Sequence, residues 1–443
     1  MRRRVRVRFL DTRPLRGSRP FRDLWIGTSA SQLGGQAANV AVLAQVWDLT
    51  GSPLGTGAIG LATGLPMVLF GLFGGTLADT FDRRTVVRAT TAGQLLAAVG
   101  LYAQAVAGNR SVPVLLVLVA VGAGCGALGA PARRTFPVRL LPDDQVAAGL
   151  ALTNVSFQAA MLAGPAAAGL VIAYRGFAGA YAVQAVAVAV SLLAVIRLPA
   201  MPPEGAGSAG GRRRPERGGW RIVLRRPTLW GSMATDLSAT LLAMPVALFP
   251  LVNEIRYGGH PQTLGLFLSA VAVGGITAGL LSGTVTRWRR SGLVQLSAAV
   301  VWSLALAGFG LAGPLWAALG CLAVAGAADT VSVITRGALV QRETPDAYRG
   351  RVSSVEHVIG VAGPELGNLR GGALAAATSA SFSLVFGGLS AALAIAAVWA
   401  TNAPLRAYLT PPVPTTPTKR ATSPAKPAAP AEDGAPPAAE QVP

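Results

Sequence analysis

A chain of 443 residues that is 52% hydrophobic and only 13% charged, with a mean hydropathy of +0.50, lies outside the composition of ordinary soluble domains and reads as an integral membrane protein. The net charge of +19 would suit a nucleic-acid binder, but the basic residues follow alternate loops rather than one face, so nucleic acid is excluded as a partner. The residue alternation of an outer-membrane barrel is absent, and the frequent Gly and Ala suit close helix packing.

Residues 1–22 hold nine arginines and no sufficient apolar core; no cleavable signal peptide is expected, and the segment reads as a basic cytoplasmic N-terminus with an unspecific attraction to anionic lipid. Runs near twenty apolar residues then begin near Leu24, Leu54, Val86, Pro113, Ala148, Ala178, Thr228, Thr263, Gly292, Leu315, Val352 and Ser379, which predicts twelve transmembrane helices. The expected architecture is all-α: a six-helix half over 23–198, a cytoplasmic linker over 199–226 rich in Pro, Gly and Arg, and a second six-helix half over 227–402. A Pro/Ala-rich cytoplasmic tail over 403–443 is expected to be disordered. With the N-terminus inside, 34 of the 38 basic residues fall on the cytoplasmic side; Arg110, Arg175 and Arg256 fall outside, and Arg370 falls within the eleventh span. That asymmetry predicts a multi-pass protein of the cell (inner or plasma) membrane with both termini cytoplasmic.

The halves repeat one another. Gly74-Gly75-Thr76-Leu77-Ala78-Asp79-Thr80-Phe81-Asp82-Arg83-Arg84 has a worn copy, Gly283-Thr284-Val285-Thr286-Arg287-Trp288-Arg289-Arg290, about 208 residues on. Arg22-Asp23-Leu24-Trp25 is matched by Arg226-Pro227-Thr228-Leu229-Trp230, and Pro142-Asp143 with Gly164-Pro165 by Pro345-Asp346 with Gly363-Pro364.

No residue set suggests an enzyme. Cys125 and Cys321 stand alone in apolar runs, so neither a metal site nor a disulfide is indicated. Both lysines, Lys419 and Lys426, lie in the tail, which leaves no Gly-Lys-Ser/Thr phosphate loop in the helices; no cofactor and no ATP are expected. Charged residues inside spans are the informative ones, since each costs about 2.5 to 3.5 kcal/mol at a helix centre. Asp236 lies about two turns into the seventh span, where desolvation favours its protonated form and makes it a candidate proton carrier. His357, Val361, Glu365 and Asn368 share one face of the eleventh span, while Glu356 points elsewhere. That face reads either as a cavity wall or as a helix-helix hydrogen-bond network. Asp329, with Arg336 two turns on, reads either as a solvated pair at the cytoplasmic end of the tenth span or as a residue with a transport role, the pair being the leading reading. Gln32, Gln36, Asn39, Asn154 and Gln158 are polar points on spans one and five that either bind a polar substrate or bridge helices.

Gly75, Asp79, Arg83 and Arg84 resemble the hairpin motif of the major facilitator superfamily, although Asp82 stands where many members have Gly. The resemblance implies a cytoplasmic latch in which Asp79 faces the N-terminal end of the eleventh helix near Ser353 and Ser354, with Glu356 beside it. Gly164-Pro165-Ala166-Ala167-Ala168-Gly169 resembles the superfamily's exporter motif with Ala168 replacing one Gly. From Phe21 to about Ala400 the chain resembles the enterobactin-exporter branch, with Thr344-Pro345-Asp346 before Gly350-Arg351, the Gly363 and Gly367 pair, and Thr378-Ser379-Ala380-Ser381. This implies proton-driven export of a small molecule, with a siderophore or related secreted natural product as leading cargo and multidrug or antibiotic efflux as the alternative. A non-transporting receptor or scaffold would call for a large soluble domain or an ordered partner-binding tail, and neither is visible.

Overall fold

The computed structural model describes residues 11–201, 219–281, 290–345 and 348–409. The second-half hairpin over 282–289, most of the expected linker and the tail from 410 lie outside the described residues. So do the side chains of 72, 75, 76, 78, 79, 219, 220, 349–351, 353 and 354.

Backbone N–H and C=O groups have no water to bond in hydrocarbon, so a spanning chain must satisfy them within its own helices. Among the described residues no strand occurs, and twelve long helical segments follow one another. They are α1 (Arg19–Thr50), α2 (Pro53–Thr80), α3 (Arg83–Val106), α4 (Val112–Arg134), α5 (143–175), α6 (177–196), α7 (Pro227–Ala243), α8 (Pro261–Leu280), α9 (Ser291–Leu311), α10 (Leu315–Glu343), α11 (Arg349–Ala377) and α12 (Ala380–Thr401). Each apolar run expected from the sequence begins inside or beside one of them. Proline in the first turn starts α1, α2, α4, α7 and α8, where its missing N–H leaves no bond unmade.

Two breaks matter. α5 and α6 are joined through Gly176 alone, at φ 65° and ψ −171°, a backbone state that a side chain would oppose. α7 stops at Ala243; a 3-10 turn, Val246–Leu248, and a short helix, Phe249–Tyr257, complete that crossing. Among the described residues eight stretches, with the α5–α6 run counted once, are long and apolar enough to cross a membrane. α1, α3 and α11 are not among them, because their apolar faces are interrupted by amides and, on α11, by Glu365.

The two sets of six helices meet by backbone approach. On α5, a Cβ on Gly169 would lie 2.6 Å from the Pro261 carbonyl oxygen at the start of α8, and Gly265 of α8 abuts the Pro165 carbonyl. Ser269 donates to the Leu162 carbonyl at 2.8 Å. On α2, a Cβ on Gly57 would lie 3.0 Å from the Asn368 carbonyl oxygen and one on Gly60 2.6 Å from that of Glu365, while Thr56 donates to the Ala247 carbonyl at 2.7 Å. All these contacts lie in the parts of the four helices remote from the N-terminal side. Nearer that side, a Cβ on Gly71 of α2 or Gly360 of α11 would meet nothing within 4 Å.

The hairpin between α2 and α3 works through a partner that local sequence did not indicate. Asp82 caps α3 by accepting from the Thr85 N–H at 3.0 Å and also accepts from the Met201 N–H at 2.9 Å. Arg84 donates to the Leu198 carbonyl at 2.8 Å, and Arg88 to that of Ile196. The basic side chains of α3 thus satisfy the open carbonyls at the end of α6. Burial alone would raise the Asp82 carboxyl; backbone N–H donors from Thr85, Met201 and Arg84 outweigh it and hold the group below its ordinary range. A carboxylate depressed in the folded state contributes stability above its unfolded pKa, about 3.9, and loses it as pH falls through the lower folded value. Asp82→Ala should therefore cost about 0.5–2 kcal/mol near neutral pH, with the gap to wild type closing below about pH 4. Thermal unfolding in detergent across pH checks this.

Candidate functional site

Closure on the far side leaves a cavity of about 500 Å³ between α1, α2, α3, α4, α6, α8, α11 and the broken stretch after α7, within the size range of small-molecule sites. Its apolar wall includes Val42, Leu43, Ile59, Leu101, Leu118 and Val188. Its polar wall is mainly amides: Gln32, Gln36 and Asn39 from α1, Gln94 from α3, Gln184 from α6 and Asn368 from α11. Glu365 is the one acid among the described lining residues, and no Arg, Lys or His joins it.

Glu365 reaches this position because α2 has no side chains in its way. A Cβ on Gly64 would lie 2.7 Å from the Glu365 Cβ, and one on Gly60 3.0 Å from its Oε2, so the side chain runs over bare helix backbone. Thr63 and Asn368 are within hydrogen-bonding reach of the carboxyl. Asn368 Oδ1 also accepts from the Ala247 N–H at 3.1 Å, satisfying an amide that the break after α7 leaves without a helical partner.

Of the stripe expected on α11, Glu365 and Asn368 enter the cavity. His357 is exposed and does not line it. Gln32, Gln36 and Asn39 line it; Asn154 and Gln158, on the part of α5 nearer the N-terminal side, do not. Gly164 packs on Gln36, where an added Cβ would lie 2.6 Å from the Gln36 Cβ, so the Gly164-Pro165 segment supports the cavity wall on one side, while Gly169 makes the α8 contact. The side chains of Gly75, Asp79, Ser353 and Ser354 lie outside the described residues. Arg83 contributes its backbone N–H to the Met201 carbonyl at 3.1 Å.

Asp236 is placed differently from the isolated acid expected. It pairs with Nη1 of Arg336 on α10, and Arg336 Nε lies 3.5 Å from Glu356 Oε1 on α11. The Arg336 side chain is 10% exposed and that of Asp236 12%. Arg336 is therefore a buried tie between α7, α10 and α11, not one member of a solvated pair with Asp329. Asp329 lies within electrostatic reach of both Asp236 and Arg336. Sequence reasoning also missed Gln94 and Gln184. Their signal was an isolated amide in an apolar run, the same signal that marked Gln32 on α1.

A polytopic all-helical bundle around a polar-lined cavity is an architecture of membrane transporters. Residues 12–417 match the family described as transmembrane secretion effector, and the chain belongs to that family of the major facilitator superfamily. The enterobactin exporter EntS of Citrobacter koseri is 26% identical over 381 residues, covering 83% of this chain and 90% of that protein. Among solved structures, the nucleoside transporter NupG aligns at a TM-score of 0.68 with 14% identity, covering 86% of this chain and 99% of the other. A D-xylose-proton symporter aligns at 0.65 with 15% identity, covering 86% and 97%. These two show the fold.

Removing one partner of a buried ion pair strands the other. Arg336→Gln should lower stability by about 3–5 kcal/mol, and adding Asp236→Asn should restore part of it. Unfolding temperatures of the two single variants and the double variant measure the coupling; additive losses would show that the pair is unimportant.

Proposed function

We propose that the protein is a proton-coupled exporter of the cell membrane whose cargo is a siderophore or a related secreted natural product. The observation that carries this reading is Glu365, an acid without a cationic partner on the cavity wall, at the seam where α2 meets α11. An acid there is accessible to whichever side the cavity opens toward, so proton and cargo can occupy one site alternately. Relatives named enterobactin exporters, matched over most of both chains, support the cargo class.

In this reading the arginine asymmetry sets both termini in the cytoplasm, so the far-side closure is an inward-open arrangement that loads from the cytoplasm. The halves 23–198 and 227–402 rock about the cavity, and the linker 199–226 leaves them free to do so. The hairpin of Gly75, Asp79, Arg83 and Arg84 acts as a latch on α11 in the opposite, outward-open arrangement. Drug efflux is the second reading, favoured by the single acid and apolar walls, which suit an amphiphilic amine.

Proteoliposomes with an imposed gradient test the coupling. One charge moving through 100 mV supplies about 2.3 kcal/mol, a gradient of roughly fiftyfold. Glu365→Gln should abolish uphill accumulation of a catechol siderophore while leaving counterflow; full gradient-driven accumulation by that variant would rule Glu365 out. A macrolide carried in place of the siderophore selects the second reading. Reporter fusions check the topology: one after Pro261 should report the outside, and those after Gly210 and Pro427 the inside.

A further inference from the structure

The buried glutamine amides of this protein fall into two groups. Away from the cavity those of Gln45, Gln104 and Gln295 are paired: Gln45 and Gln104 exchange hydrogen bonds at 3.0 and 3.2 Å, with Tyr181 donating to Gln45 at 2.7 Å. Gln295 accepts from the Ser232 hydroxyl at 2.9 Å and donates to its carbonyl at 3.1 Å. On the cavity wall the pattern changes. The side-chain oxygens of Gln32, Gln94 and Gln184 are buried and have no hydrogen-bond partner in the protein, although they come from three different helices. Leaving a buried acceptor unmatched destabilises a fold; among the described residues one more buried amide oxygen, that of Asn253, lacks a partner and lies away from the cavity, so three of the four gather around it and mark a site shaped for something other than packing.

An orphaned carbonyl oxygen calls for an O–H or N–H donor. A carboxylate in the same wall calls for a donor or a cation, and no basic side chain is present to receive an anion. We infer that the cavity is a donor-recognising site: it binds molecules rich in hydroxyl or amine hydrogens, neutral or cationic, through Gln32, Gln94, Gln184 and Glu365, and it rejects anions. This rests on the cavity being the transport site proposed above and adds the charge and hydrogen-bond class of its cargo. The same wall accepts a catechol through its hydroxyl hydrogens and refuses the molecule once those hydrogens are replaced by charge.

Small aromatic probes separate this inference from the identity of the natural cargo. Catechol and benzylammonium carry donors; 1,2-dimethoxybenzene has the catechol shape without donors, and benzoate is an anion. Saturation-transfer NMR on the full chain in nanodiscs should show catechol and benzylammonium binding at least about tenfold more tightly than dimethoxybenzene and benzoate, the worth of one well-made hydrogen bond. Gln94→Leu and Gln184→Leu should each lose about tenfold for catechol while unfolding at or above the wild-type temperature, because an unmatched acceptor has been removed. Glu365→Gln should erase the preference for benzylammonium over benzoate. Equal binding of benzoate and benzylammonium, equal binding of the two catechol shapes, no binding of any probe, or unchanged binding by both leucine variants would each overturn the inference. The expected probe pattern without siderophore transport would leave it standing and remove only the proposed cargo.

Discussion

Everything in this molecule hangs on how closely two pairs of helices approach at one end. Helix association in a bilayer draws little from hydrophobic burial, because lipid is as apolar as leucine; it depends on surfaces that let backbones touch. Gly57, Gly60 and Gly64 on α2 and Gly169 and Gly265 on α5 and α8 supply such surfaces. Their position at the far end seals that side and leaves a cavity below the seal. It also delivers Glu365, since the carboxylate lies where α2 presents bare backbone. The seal and the site are products of the same contacts.

Polar groups are divided sharply between structural and unmatched roles. Arginines at both ends of the bundle bond the open carbonyls of helix ends. Arg84 and Arg88 bind the carbonyls at the end of α6, and Arg256 donates to those of Phe309, Gly310 and Ala312 at the end of α9. A cation near a helix C-terminus meets both the unsatisfied carbonyls and the negative end of the dipole. Arg336 ties three helices through two carboxylates. Other buried polar atoms also lack a hydrogen-bond partner, the Nε atoms of Arg84, Arg88 and Arg336 among them, but the three glutamine oxygens are gathered around one cavity.

The helical plan was legible because its signal is length: a run of about twenty apolar residues has few other uses. Glu365 was legible because a charge in such a run is costly. Pairings across the chain were not. Asp236 looked isolated because Arg336 is 100 residues away, and only packing brings α7 and α10 together. Asp82 looked like a departure from a motif, yet it anchors the stretch after α6 through Met201, which local sequence does not indicate. The polar points on α1 were visible, but of those on α5 only the motif segment approaches the cavity, since face and depth on a helix decide what a residue meets. Gln94 and Gln184 carried the same signal as Gln32. The helices that fall short of the apolarity of a membrane span, α1, α3 and α11, each bring polar residues to the cavity, so weak hydropathy was itself a pointer to the site.

Gly176 has a mechanical consequence. With one residue between α5 and α6, there is no slack to absorb a displacement, and whatever tilts α5 must drag α6. α5 grips α8 at the seal through Gly169, while α6 carries Gln184 into the cavity. Parting Gly169 from α8 would therefore displace Gln184 as well, and a longer, looser connection at 176 would uncouple the two movements.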